Sequence, residues 1–340
     1  MVTIKDIAKE AGVSTTTVSN VLHGNTNRVS AQKVELISRL IAEMGYETEH
    51  KVSYRKKEKS RMVAVIMYAS KEYEKSILAD PFFGETMGNI EEALRKKGYY
   101  TMLYSAKTVE DIMPMVMRCN IDGIITLSFS RKDCEKIYSL IGKPVVSIDA
   151  YGEGKAEGKE IVNIGIDDFA GAYEMMGHLL KCKYDMILFC AARDHGVDHE
   201  RWLGCLKALE HWQGKKPVCK MISVGLSKAK RMEIIEQICK RKKDNWALFY
   251  ASDIYAIEAI SVCREKGIQI PVDLGICGFD NILYSEFCVP PLTTVKQNFG
   301  LKAKMAVDVL SELIQENYDG EREVILPVSL VVRKSCRNQV

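Results

Sequence analysis

The chain has 340 residues, 47% of them hydrophobic, with 48 Lys and Arg against 45 Asp and Glu. That length exceeds one typical domain and the apolar fraction suffices for a sizeable core, while no apolar run approaches the roughly 18 residues of a membrane span. The net charge of +3 is unevenly placed: residues 1–60 hold ten basic and seven acidic side chains, so the whole surplus lies there and residues 61–340 balance. A small basic head on a neutral body suits a head that meets phosphates. Eleven cysteines, with no C-x-x-C pair, read as reduced and mostly buried thiols, which favours the cytoplasm. The opening residues read as a polar helix rather than a signal peptide.

The segment TIKDIAKEAGVSTTTVSNVLHG, Thr3 to Gly24, predicts two short helices joined by a tight turn. Thr3 and Asp6 form a capping-box-like start, and Ile4, Ile7, Ala8 and Ala11 share one apolar face at helical spacing. Gly12 permits the turn, and Ser14 caps a second helix that carries Val18, Val21 and Leu22 inward. Thr15, Thr16, Ser19 and Asn20, all short hydrogen-bonding residues, are left near the exposed start of that second helix. An amphipathic hairpin packed on its own domain is the bland reading. The other is a helix-turn-helix laid in the major groove.

The run A-G-V-S-x-x-T-V-S-x-V-L, Ala11 to Leu22, resembles the DNA-binding signature of the lactose-repressor (LacI/GalR) family of bacterial transcription regulators. RVSAQKVELISRLIAEMGY, Arg28 to Tyr46, resembles the family's third helix and its closing Gly-Tyr, with Ser30 as cap and Val34, Ile37, Ile41 and Met44 facing a small core. The resemblance implies a homodimer on a pseudo-palindromic double-stranded operator. It implies DNA contacts from Thr3, Ser14, Thr15, Thr16, Thr17, Ser19, Asn20 and His23, with Lys5, Arg28 and Lys33 on phosphates. Asn20 stands where many relatives carry an arginine, which favours adenine N6/N7 over guanine.

Residues 47–61, ETEHKVSYRKKEKSR, form a charged linker. In the family this segment is a hinge helix whose leucine wedges into the minor groove. Arg55 occupies the leucine position here, and Thr48 and Glu49 replace the usual Pro and Asn. Arg55 and its basic neighbours still suit the DNA backbone or a narrow minor groove, but an arginine does not wedge as a leucine does.

From Met62 the pattern becomes alternating strands and helices. Strands are predicted at 63–68, 99–106, 122–128, 144–149, 162–167, 186–191, 246–252 and 274–280, with helices between most of them. This pattern implies parallel sheets covered on both faces and a ligand crevice at the strands' carboxyl ends. By resemblance the body is a two-lobed periplasmic-binding-protein-like α/β fold. Its first lobe spans about 62–161 plus a late helix at 297–317, and its second about 162–280 plus tail strands at 323–336. The head is then 1–46, the linker 47–61 and the effector-binding, dimerising body 62–340.

The resemblance also assigns a small-molecule effector, a sugar, sugar phosphate or nucleoside, to the crevice. DPFF, Asp80 to Phe83, matches the family's N-P-F-F and supplies Asp80, Phe82 and Phe83. The same residues read locally as cap, N1 proline and packed rings. The connection before it, 68–78, is longer than usual. Asp149 stands at a strand end. Arg201, in HERWLGCLKAL (199–209), matches the R-x-x-G helix start, where a planar fork of donors grips hydroxyls or a carboxylate; pairing with nearby acids is its alternative. Asp253, in YASDIYAIEAI, matches an acid at a strand end, but it or Ser252 equally suits a helix cap. Asp280, in GFDN, belongs to the set with a mainly structural reading. The loop VGLSKAKRMEII (224–235) lacks the family's stacking aromatic and carries Lys228, Lys230 and Arg231, which turns attention to acidic or phosphorylated effectors.

Enzyme chemistry finds no support. GEGKAEGK (152–159) lacks P-loop spacing, and His195 and His199 lack the zinc-peptidase glutamate. No cofactor or metal is expected. The residues thus predict an effector-responsive DNA-binding repressor. A body that answers to a protein partner, or a solute-binding protein without DNA function, are the readings it competes with.

Overall fold

The computed structural model describes residues 2–22, 26, 29–44, 59–69, 76–152, 161–241 and 245–337. The head holds three helices: α1 (Ile4–Glu10), α2 (Thr15–Leu22) and α3 (Ala31–Glu43). The predicted capping box at Thr3 forms, with Thr3 Oγ1 donating to Asp6 at 2.7 Å and the Thr3 N–H donating to the same carboxylate at 2.8 Å. Gly12 takes φ +61 in the turn, a conformation that costs other residues a Cβ clash. Ile7, Ala8, Val18, Val21 and Ile37 close the core, flanked by Val34, Ile41 and Met44. So few buried side chains make a small core, and the Thr3 cap contributes about 1 kcal/mol where the core is least able to lose it.

The body folds into two six-stranded sheets. The first takes β1 (Met62–Tyr68), β2 (Tyr100–Ala106), β3 (Gly123–Leu127), β4 (Val145–Ile148), β5 (Ile161–Ile166) and β11 (Glu323–Leu326), in the order β11-β5-β4-β3-β1-β2. The second takes β6 (Met186–Ala191), β7 (Val218–Ser223), β8 (Trp246–Tyr250), β9 (Leu274–Asp280), β10 (Thr293–Lys296) and β12 (Ser329–Val331), in the order β12-β10-β9-β8-β6-β7. All pairings are parallel except β10 with β12. Central strands are buried end to end, as in GIITL at β3 and VVSI at β4. This follows from helices covering both faces of a parallel sheet.

On the first sheet, α4 (Pro81–Lys96) and α12 (Phe299–Ile314) cover one face, with Phe83, Ile90, Leu94, Val307 and Leu310 buried. The short α5 (Met113–Arg118) and α6 (Arg131–Ile141) cover the other. On the second sheet, α7 (Asp168–Lys181) and α8 (Val197–His211) pack on one face, and α9 (Lys228–Arg241) and α10 (Asp253–Glu265) on the other. A single turn of helix, α11 (Tyr284–Phe287), precedes β10.

Two expectations need correction. The sequence pattern places the segment 162–167 and the whole tail in the second lobe, yet β5 and β11 pair with each other in the first sheet, and only β12 joins the second. The chain therefore crosses between sheets after β5, again between β10 and α12, and once more between β11 and β12. A strand not anticipated from the sequence, β7, forms the edge beside β6, its residues only partly covered.

The linker's last residues are anchored. The N–H groups of Ser60 and Arg61 donate to the Asp122 carboxylate at 3.1 and 2.8 Å. Arg55, Thr48 and Glu49 lie outside the described residues, as do His23 and Arg28.

The glycine of R-x-x-G has a packing role. A Cβ on Gly204 would stand 2.2 Å from the Phe169 carbonyl oxygen, where α8 meets α7. Backbone cannot yield as a side chain does. Gly204→Ala is expected to destabilise the fold by about 1–3 kcal/mol, read as a lowered urea midpoint; an unchanged midpoint would contradict this close approach.

Candidate functional site: a charged crevice on the lobe crossings and a helix-turn-helix head

The strands' carboxyl ends and the crossings bring six charged side chains together. Arg201 sits in the second turn of α8, almost wholly buried. Its Nε donates to Asp168 Oδ1 at 2.7 Å, Nη1 donates to the Ala251 carbonyl, and Nη2 lies 3.8 Å from Asp280 Oδ1. The guanidinium plane lies over Phe279, its carbon 3.6 Å from the ring centroid. Burial works against the charge, but Asp168, Asp280 and Asp198 more than offset it and raise the pKa. A planar fork with a stacking face makes all these contacts at once, which an ammonium does not.

The adjacent aspartates at the first crossing divide the work. Asp167 caps α7 by accepting the Ala170 N–H at 2.8 Å, which leaves Asp168 to face inward, where it also accepts the Tyr151 hydroxyl proton. Burial raises the Asp168 carboxyl above its usual range, with Arg201 pulling the other way. Asp280 closes β9 at φ +120, a sparsely populated conformation for a residue with a side chain. It accepts from Gln297 Nε2 at 2.7 Å and from Ser252 Oγ at 3.2 Å, and burial lifts it well above the carboxylate range.

Gln297 carries the connection over the second crossing. Its Oε1 accepts from Lys302 Nζ at 2.6 Å, and Lys302 donates to both Asp149 oxygens at 2.9 and 2.7 Å. Lys302 is 1% exposed, and Asp149 and Gln297 together accept all three hydrogen bonds its ammonium can donate, as a buried polar group requires. Phe82 stands beside this group, its ring 5.9 Å from Lys302 Nζ and edge-on to Phe299 at 5.7 Å. Asp80 caps α4 by accepting the Phe82 N–H at 2.9 Å.

Of the effector residues expected from the sequence, Asp149, Arg201 and Asp280 thus lie on one connected group, with Phe82 beside it and Asp80 at the cap of the helix that carries Phe82. Phe83 is buried in the first-lobe core. Asp253 lies apart. Its Oδ2 accepts from Ile282 N–H and Ser285 Oγ at 3.1 and 2.5 Å, and its Oδ1 accepts from Thr294 Oγ1 at 2.6 Å. It is fully enclosed at 0% exposure, and it knits α10 to α11 and β10 rather than facing the crevice. Of the basic loop, Lys228 and Lys230 are exposed, whereas Arg231 is not an open cation. Arg231 binds Glu258 through two nitrogens at 2.7 and 3.1 Å and lies over Tyr255 at 4.3 Å.

Sequence reasoning missed Lys302, Gln297, Asp168 and Tyr151. Asp168 carried a faint signal, a second aspartate directly after a cap. Lys302 carried none, since one lysine in FGLKAKMA looks like a solvated side chain.

In the head, α2 presents Thr15 and Thr16 exposed and Ser19 and Asn20 half-buried along its first turns. Ser14 Oγ accepts the Thr17 N–H at 3.1 Å and shares a 2.9 Å hydrogen bond with Thr17 Oγ1, so these two serve the cap. Lys5 and Lys33 are exposed.

A two-lobed α/β body with a buried charged network on its lobe crossings, behind a helix-turn-helix head, suits a class of regulator, and comparison with known proteins narrows it. Residues 3–49 match the profile of bacterial regulatory proteins of the lacI family, and residues 176–336 that of a periplasmic binding protein-like domain. The HTH-type transcriptional repressor PurR of Haemophilus influenzae (strain PittEE) is 27% identical over 350 residues, covering 99% of each chain. The HTH-type transcriptional regulator MalR of Clostridium butyricum is 29% identical over 343 residues, covering 98% of this chain and 99% of its own. Among solved structures, a CelR–cellobiose complex aligns with a TM-score of 0.72 at 23% identity, covering 98% and 100% of the two chains. A lac repressor dimer bound to operator and an anti-inducer aligns with a TM-score of 0.67 at 24% identity, covering 98% of each; such identities establish the fold. The chain belongs to the lacI family of bacterial regulatory proteins. None of its described helices is long and apolar enough to cross a membrane.

Burial lifts the Asp253 carboxyl from 3.8 to about 7, against its hydrogen bonds from Ser285 and Thr294. The folded chain therefore holds this proton more tightly than the unfolded chain. The resulting stability is full below about pH 4 and fades as pH rises through about 7. In Asp253→Asn the amide donates to Thr294 Oγ1 and the packing survives. The fall in unfolding free energy between about pH 4 and 7 is expected to lessen by at most about 1.4 kcal/mol per pH unit. Denaturant titrations at stepped pH measure it, and an unchanged slope would refute the assignment.

Proposed function

We propose that this protein is a dimeric, sequence-specific DNA-binding repressor whose operator affinity is set by a small-molecule effector held between its lobes. One observation carries the reading: a helix-turn-helix head shares a chain with a crevice whose charged network spans the crossings between lobes. PurR and MalR, similar along nearly their whole length, are named transcriptional regulators, and the solved relatives include complexes with operator, cellobiose and ribose. Such a protein works in the cytoplasm, where its DNA is.

The mechanism follows from linkage. An effector shifts DNA affinity only by its differential affinity for two lobe arrangements. Residues at the crossings are the ones whose hydrogen bonds change when lobes rotate, and Gln297, Asp280 and Asp168 all lie at or beside crossings. In a dimer, rotation of the lobes resets the spacing of the two heads, and head spacing must match half-site spacing. Thr15, Thr16 and Asn20 are the base readers in this scheme. Lys5 and Lys33 hold phosphates, with Arg28 and the linker's Arg55 in the same role.

Selection from a random DNA pool is expected to enrich a pseudo-palindrome. The Asn20→Ala protein should enrich a motif relaxed at one position per half-site, with a discrimination loss of about 1–3 kcal/mol there. A uniform affinity loss over all sequences would make Asn20 a positioning contact, and enrichment of no palindrome would remove the operator reading itself.

A further inference from the structure

We propose that Asp122 is a positioning residue for operator binding: its carboxylate clamps the end of the linker to the first lobe and so sets the half-site spacing that the paired heads accept. The inference rests on the dimeric operator reading. Asp122 is 9% exposed and directly precedes β3, so it stands at the amino ends of the parallel strands, at the opposite end of the sheet from the crevice. Its Oδ1 accepts from the Ser60 N–H and the Ser60 hydroxyl at 3.1 and 3.2 Å, and its Oδ2 accepts the Arg61 N–H at 2.8 Å. A carboxylate takes such donors on two oxygens, whereas an amide offers one accepting oxygen. Sheet pairing does not depend on this grip. The β1–β3 ladder is made by backbone, and the Asp122 N–H itself donates to the Met62 carbonyl at 2.8 Å. The carboxylate therefore serves the linker.

The same stretch is held from two more sides. Arg61 takes φ +56, a region that residues with a Cβ seldom occupy, and its carbonyl accepts the Tyr100 N–H at 2.6 Å. Lys59 Nζ donates at 3.3 Å to the carbonyl of Ile314, the last residue of α12, where the helix dipole favours a cation. The same helix starts at the crevice, where its Lys302 joins Asp149 and Gln297. It thus touches the charged network at its start and the linker at its end. Lys59 and Arg61 are exposed and Ser60 is half-buried, so polar contacts rather than packing fix the point from which each head is suspended. Freed from the clamp, residues 59–61 extend each connection by up to about 10 Å, at about 3.3–3.6 Å per residue. One base pair advances the duplex by about 3.4 Å, so the clamp governs spacings that differ by about one to three base pairs.

The probes are the pseudo-palindrome that the full chain selects from a random DNA pool, the same duplex with one base pair removed from or added to its centre, and a duplex carrying one half-site. Fluorescence anisotropy titrations are run on wild type, Asp122→Ala and Asp122→Asn. Wild type should bind the altered spacings at least about tenfold more weakly than the selected one. Asp122→Ala should bind the selected duplex at least about fivefold more weakly and discriminate between spacings by less than about threefold, with half-site affinity unchanged. Asp122→Asn keeps one accepting oxygen and should fall between the two. Loss of fold would weaken half-site and palindrome alike, so the half-site separates positioning from stability, and Asp122→Asn decides the question if Asp122→Ala does not fold. Spacing discrimination undiminished in the variants overturns the proposal and leaves the operator reading standing, as does a wild type indifferent to spacing. Enrichment of no palindrome overturns the operator reading and the proposal with it.

Discussion

Arg201 holds a permanent charge in a place that water does not reach, and the arrangement of the crevice follows from what that requires. A buried guanidinium without partners would cost several kcal/mol. It must be met by carboxylates, by a carbonyl at the end of β8 and by a flat ring, and these come from three different elements. Asp168 comes from the first crossing, Ala251 from the end of β8, and Asp280 and Phe279 from the end of β9. One side chain thereby fixes the relative positions of three strand ends. Asp280 passes the constraint through Gln297 to Lys302 and Asp149, and so into the first lobe.

Such a network suits a conformational switch because it is directional and all-or-none. Hydrogen bonds among buried charges weaken steeply with small displacements, and an unmade one leaves a charge uncompensated. Rotation of one lobe against the other cannot be absorbed gradually along Lys302–Gln297–Asp280. A ligand that substitutes for some of these bonds stabilises one arrangement over the other, and that difference is all the free energy available to move the heads. Asp253, only one residue from Ser252 in the chain, shows the contrast. Its carboxylate serves packing between α10 and its neighbours and takes no part in the network.

Much of this was legible in the residues. The head was legible because capping, turn glycine and apolar spacing all pointed to the same three helices, and the family signature fell on those positions. The central strands were legible as short apolar runs at regular intervals. β7 was not, because VCKMIS is an edge strand with a lysine in it and only partial burial. The split of the tail between sheets was hidden, since β11 and β12 choose partners more than 30 residues away or across the crossover, which local pattern does not encode. Asp253 and Asp280 both follow strands, and nothing local shows which carboxylate turns into the crevice. Lys302 illustrates the limit most plainly: a buried lysine is recognised by its partners, and those lie 153 and 5 residues distant.

An energetic link between crevice and head is reciprocal. The most direct measurement is a pair of titrations with one selected operator and one identified effector. Operator affinity is measured with and without saturating effector, and effector affinity with and without saturating operator. Both ratios are expected to depart from unity, by the same factor and in the same direction. An effector that binds in the crevice while leaving operator affinity unchanged would contradict it.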